Sequence, residues 1–228
     1  MKFRLISLSL SVAACLSLAA TGPAWADEDD GGRFEVTITN LTRGQQFTPL
    51  LVASHKPSVK LFTLGKPASG ELATLAEEGN TGPLSAALSA MPGTGQVVTG
   101  SGLTNPGASV TLVVDGRRGF GMLSVAAMLI PTNDAFVALN GVPLPRGNDS
   151  VSFLAPAYDA GSERNDELCV SIPGPFFAEC SGSGGGGAPG GGEGFVHIHS
   201  GIHGIGDLSA ATRDWRNPVA LITVRRMR

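Results

Sequence analysis

The sequence predicts an all-β protein: an antiparallel β-sandwich with one or two short helices in its loops. Three observations lead there. Glycine and proline are abundant, at 32 and 15 copies in 228 residues, which favours many short elements joined by turns over long helices. Polar and apolar residues alternate in "RFEVTITNL" (33–41), with Phe34, Val36 and Ile38 on one face and Glu35, Thr37 and Thr39 on the other. Strand-like apolar runs then recur at short intervals, each bounded by turn residues, as in a sandwich.

The elements follow in chain order. "TPLLVASH" is a second apolar segment ending at His55, and "VKLFTL" (59–64) extends it. "SGELATLAEEGN" (69–80) reads as a short helix: Ser69 caps it, Leu72, Leu75 and Ala76 share a side, and Gly79 stops it. "GPLSAALSAMPG" (82–93), with Pro near its start and Pro-Gly at its end, gives a second short helix. Both read as minor elements. "SVTLVVDG" (109–116) and "GFGMLSVAAMLIP" (119–131) are strands joined by a hairpin-like connection at Asp115-Gly116-Arg117-Arg118. Further strands are expected at 135–141, 150–156, 167–173, 194–201 and 217–226, for about eight or nine in all. "SGSGGGGAPGGGEG" (181–194) reads as a flexible surface loop, or a hinge before the last two strands, in which nothing can pack. Its match to G-x-G-x-x-G carries no weight without a flanking strand and helix.

The N-terminus sets the compartment. Lys2 and Arg4, an apolar run and Ala24-Trp25-Ala26 make residues 1–26 a secretory signal peptide cleaved after Ala26. An acidic flexible tail (27–32) and one domain (33–228) follow, and no later segment is long and apolar enough to span a membrane. The chain is therefore expected to be secreted, extracellular or periplasmic. Lipidation at Cys15 in "VAAC" is the weaker alternative. Cys169 and Cys180 remain after cleavage, and an isolated pair in an exported protein is most simply a disulfide. A net charge of −3 and 6% aromatic residues argue against a nucleic-acid partner.

Two clusters carry candidate chemistry. "YDAGSERND" (158–166) with Glu167 gathers Asp159, Glu163, Asp166 and Glu167 around an Ala-Gly turn, in a chain only 15% charged. A solvated loop is one reading. A hard-cation site is the other, because several carboxylates converging from turns repel one another until a cation neutralises them. "PTND" (131–134) would bring Asp134 to the same end of a sandwich. The second cluster is "HIHSGIHG" (197–204), where His197 and His199 share a strand face and His203 folds back, a pattern that suits Zn²⁺ or Cu²⁺ with His55 or Asp207 as a fourth ligand. Its alternative is histidines that bond loop backbones at a sheet edge. No G-x-S-x-G elbow accompanies the available Ser, His and Asp residues, and no catalytic residue is assigned.

Together, "FEVTITNLT" with "TPLLVASH", "ASGELATLAEEGN", "GMLSVAAMLIPTNDAFVAL", "YDAGSERNDE" and "DWRNPVALITVRR" resemble the spondin domain, the N-terminal module of F-spondin and its relatives. The resemblance runs in order through nearly the whole mature chain. It implies a sandwich related to C2 domains, with Ca²⁺ as cofactor. The positions matching its calcium ligands are Asp134, Asp159 and Glu163, the last a Glu where Asp is usual. Asn165, Asp166 and Glu167 are second-rank substitutes. The resemblance also implies an extracellular protein or glycan as partner. Thrombospondin-type repeats are absent here, so a matrix role does not carry over. A transition-metal site or metal-dependent enzyme built on His197, His199 and His203 is the competing expectation.

Overall fold

The computed structural model describes residues 31–174, 177–181, 185–187 and 190–227. The expected signal peptide, Cys15 and residues 27–30 of the acidic tail lie outside these residues.

Strand β1 (Arg33–Asn40) keeps the alternation its sequence shows: Phe34, Val36, Ile38 and Asn40 are buried, and the residues between them are not. It lies between β5 (Ser109–Asp115) and β11 (Ala220–Arg226), and β8 (Ser150–Ala155) completes a four-stranded sheet in the order β5-β1-β11-β8. The first and last strands of the domain thus pair directly, antiparallel, with Val36 opposite Val224 and Ile38 opposite Ile222. The second sheet runs β10 (His197–Ile198), β9 (Ala157–Asp159), β7 (Ala135–Pro143), β6 (Met122–Ile130), β3 (Leu51–His55) and β4 (Thr94–Thr99), with β2 (Gln46–Phe47) paired to β6. Every pairing between these strands is antiparallel. The inner faces meet in one apolar core that includes Phe34, Ile38 and Ile222 from the first sheet and Val125, Leu129 and Val137 from the second. This is the expected all-β sandwich.

Of the three short helices among the described residues, one more than expected, the first two count for more than their length implied. Helix α1 (Gly70–Glu78) is capped as its sequence indicates, since Ser69 accepts the Leu72 N–H and left-handed Gly79 closes the last turn onto the Leu75 carbonyl. Helix α2 (Gly82–Ala90) follows, with Pro83 in its first turn. Leu72, Leu75, Leu84 and Leu88 bury the outer face of the larger sheet against Leu51, Ala53, Ala126, Phe136 and Ala138. Strands β6 and β7 are therefore covered on both sides. That is why "MLSVAAMLI" reads as a continuous apolar run rather than an alternation.

Four local expectations are corrected. The link at 115–118 is not a hairpin, because β5 and β6 belong to different sheets. Residues 59–64 form no strand: Asn140 stands in for a partner strand, accepting from the Leu61 N–H and donating to the Phe62 carbonyl. Residues 167–173 hold a single tight turn at Cys169–Ser171. The disulfide Cys169–Cys180 closes beside it, with Cα atoms 5.3 Å apart. In the simple loop-entropy account such a short bridge contributes about 3 kcal/mol. Finally, the described part of the glycine-rich segment does pack. Gly190 and Gly194 donate to the Ser162 and Gly161 carbonyls, and Gly185 donates to the Cys169 and Ile172 carbonyls. Bare backbone approaches so closely that a Cβ on Gly192 would lie 2.5 Å from the Gly161 oxygen.

The helical cover gives a direct test. Leu75→Ala, at a fully buried position, should lower unfolding free energy by about 2–5 kcal/mol in denaturant titration. Leu154→Ala, at a position 61% exposed, should change it by no more than about 0.5 kcal/mol.

Candidate functional site

The two acidic turns expected at one end of the sandwich are adjacent. The turn between β6 and β7 is held by Thr132, whose hydroxyl donates to the Leu129 carbonyl and accepts from the Ala135 N–H. Its next residue, Asn133, ties it to the second turn by donating to Asp166 and accepting from the Glu167 N–H. Antiparallel pairing then sets Ala135 opposite Asp159, and the Ala160 N–H donates to the Asp134 carbonyl. Asp134 and Asp159 thus sit side by side because β7 pairs with β9.

Both carboxylates are out of water, Asp134 at 0% and Asp159 at 1% exposure. Burial of a charged group demands compensation. Asp134 Oδ2 accepts from the Ser162 N–H at 2.8 Å, the Ser162 hydroxyl at 3.2 Å and the Glu163 N–H at 3.0 Å. Asp134 Oδ1 is buried and has no hydrogen-bond partner among the described residues. Burial, and then the neighbouring Asp159 charge, push the Asp134 pKa up to about 6 against the bonds to residues 162 and 163. Asp159 accepts from the Gly161 N–H and from the Asn165 amide, each at 2.7 Å. Burial raises its pKa as well. Gly161 makes the turn with φ +66°, and a Cβ there would fall 2.4 Å from the Phe195 carbonyl oxygen.

The histidine segment meets the same carboxylate. Strand β10 pairs with β9 so that His197 lies opposite Asp159. His197 Nε2 is 3.7 Å from Asp159 Oδ1 and 3.4 Å from Glu193 Oε2, and His199 Nε2 is 3.7 Å from Asp159 Oδ2. Burial pulls the His197 pKa down, but the Ile198 carbonyl, Asp159 and Glu193 outweigh it and the net shift is upward. Burial, chiefly, lowers the His199 pKa to about 4, so that ring is neutral near pH 7.

This chain has known relatives at the level of a family. The family model for Spondin_N matches residues 37–165. The chain belongs to the Spondin_N family. No curated protein matches the chain. Family membership makes this an extracellular type of module. The Cys169–Cys180 disulfide is compatible with secretion, and no helix among the described residues is long and apolar enough to cross a membrane.

The remaining candidates of this spondin domain fall into distinct roles. Glu163 is fully buried, but its carboxylate turns towards Gly187, where a Cβ would lie 2.7 Å from Oε1 and 3.4 Å from Glu77 Oε2. Asn165 serves Asp159 as a donor. Asp166 accepts from Asn133, the Leu168 N–H and the Ser171 hydroxyl. Glu167, at φ +58°, accepts the N–H groups of His203, Gly204 and Ile205 and so clamps the two loops together. His203 is exposed and bonded to the Ser200 hydroxyl. Asp207 accepts the Cys169 N–H. His55 bonds Ser124 and lies opposite Met122, at the far end of β6 from the acidic turns. Among the described residues, the ligand atoms that lie within 4.8 Å of one another belong to Asp159, Glu193 and His197. Glu193 escaped the sequence reading because it sits in the glycine run. Its spacing four residues before His197 was the available signal.

The donor set around Asp134 fits a hard cation. It offers carboxylate oxygens, one of them without a partner, beside a second buried carboxylate. Without a cation, the raised Asp134 pKa has a definite consequence. Its stabilising contribution is complete below its unfolded pKa near 4 and is lost as pH rises through about 6. Chelator-treated protein should therefore lose stability relative to Asp134→Asn between roughly pH 4 and 6, measured by paired thermal melts across that range.

Proposed function

We propose that this spondin domain is an exported binding module, not an enzyme, whose loop end is ordered by one calcium ion held by Asp134 and Asp159. The observation that carries this reading is Asp134 Oδ1, buried without a hydrogen-bond partner beside a second buried carboxylate. The ion would supply positive charge at a point where two desolvated carboxylates are close enough for one to raise the pKa of the other. The chain does the rest: Ser162 and Glu163 hold one Asp134 oxygen, Asn165 and Gly161 orient Asp159, and Asn133 links the turns. Together these fix the 131–134 and 158–167 loops as one surface, suited to recognition of an extracellular protein or glycan. Spondin_N membership supports the extracellular setting.

Thermal denaturation of the secreted chain (27–228) tests the ion. Calcium at about a hundredfold over Kd should raise Tm by roughly 5–10 °C relative to chelator. Asp134→Asn should remove that difference. An identical melt with calcium and with chelator would overturn the assignment.

A further inference from the structure

We infer a second cation site, sharing Asp159 with the one proposed at Asp134, formed by Asp159, Glu193 and His197 and suited to a transition ion of the Zn²⁺ class. It rests on which ring nitrogen of each histidine carries hydrogen. His197 Nδ1 lies 3.0 Å from the Ile198 carbonyl oxygen. A carbonyl only accepts, so Nδ1 carries the hydrogen and Nε2 of the neutral ring presents a lone pair. That Nε2 is buried, has no hydrogen-bond partner among the described residues, and faces Glu193 Oε2 at 3.4 Å and Asp159 Oδ1 at 3.7 Å. A lone pair facing two carboxylates is repulsive until a positive charge lies between them, supplied either by a proton on Nε2 or by a metal ion that displaces it. Ligands about 2.0–2.2 Å from a tetrahedral zinc ion stand about 3.3–3.6 Å apart, so the spacing suits an ion. An imidazole with two carboxylates favours Zn²⁺ over Ca²⁺, which takes oxygen alone.

His199 has the opposite tautomer and a different part. Its Nδ1 accepts the Gly201 N–H at 2.9 Å, so its hydrogen is on Nε2. Its side chain is 3% exposed, its ring packs against Trp215 with centroids 5.0 Å apart, and Nε2 lies 3.7 Å from Asp159 Oδ2, beyond hydrogen-bond distance, with no hydrogen-bond partner among the described residues. It is a positioning residue. Asn165 holds Oδ2 by a hydrogen bond and His199 stands on the same side, while Oδ1, which accepts the Gly161 N–H, lies towards His197. The site is thus one histidine and two acids, not the three histidines that the sequence grouped.

Metal-stripped chain 27–228 titrated with ZnCl₂ by calorimetry should bind one ion at this site. Co²⁺ substituted there should show a visible absorption band. His197→Ala and Glu193→Gln should each weaken zinc binding at least about tenfold and abolish the Co²⁺ band. Their side chains are 28% and 42% exposed, and metal-free melts will show that the variants fold. His203→Ala should bind zinc as the unaltered chain does. Absence of zinc binding, or wild-type affinity in either ligand variant, would overturn the proposal. These titrations contain no calcium, and the calcium reading is tested through Asp134→Asn, so the two fail separately.

Discussion

Asp134 and Asp159 are held out of water side by side, and much of this end of the sandwich is arranged around that fact. The pairing of β7 with β9 forces the proximity, since Ala135 stands opposite Asp159 and leaves Asp134 next to it. The strand pairing is fixed by apolar packing on both faces, with Val137 in the inter-sheet core and Phe136 and Ala138 under the helices. A sheet buried on both sides resists a register slip, because a one-residue shift would exchange the two sets of side chains. The carboxylates cannot therefore separate, and the loops must answer them with donors.

The loops do so mostly with backbone. Asp134 accepts the Ser162 and Glu163 N–H groups, Asp159 that of Gly161, Asp166 that of Leu168, Glu167 those of three successive residues, and Asp207 that of Cys169. The described residues of 160–207 contain little regular structure beyond β10 and two single 3-10 turns. Their buried N–H groups have no ladder to join, and each needs an acceptor. The concentration of acids in "YDAGSERNDE" is thus first a structural answer to irregular backbone. What is left over after that answer, the Asp134 Oδ1 atom and the His197 Nε2 atom beside Asp159, is where a cation reading has physical content.

Local pattern made part of this legible. β1 follows from its alternation, and α1 from Ser69 and Gly79. The role of α1 did not, because it depends on which face of which sheet the helix covers, and that is settled by residues far away in sequence. β4 carries only two strongly apolar residues, Val97 and Val98, and is a strand because β3 offers it a partner. "ELCVSIP" has strand-like residues, yet the nearby disulfide and the Asp207 cap hold it as a turn. The same distinction runs through the site. Asp134 and Asp159 stand out from turn chemistry and from the spondin motifs. The convergence of the acidic turn with the histidine segment depends on β9 pairing with β10, which no local pattern encodes.

The glycine segment shows why composition misleads here. Flexible linkers and close-packed backbone both call for glycine, the first for entropy and the second for the missing Cβ. The described residues distinguish them: Gly190 and Gly194 bond to the acidic turn, and Gly192 lies too near Gly161 to admit any side chain. Residues 190–194 are laid along "AGSE" as a backbone-to-backbone seam. That seam carries Glu193 to His197 and Asp159, and it places Phe195 against the turn of Gly161. A linker would leave Glu193 free in solvent. A seam fixes it, so the glycine content is what allows a carboxylate and an imidazole to arrive at an aspartate already buried on the neighbouring strand.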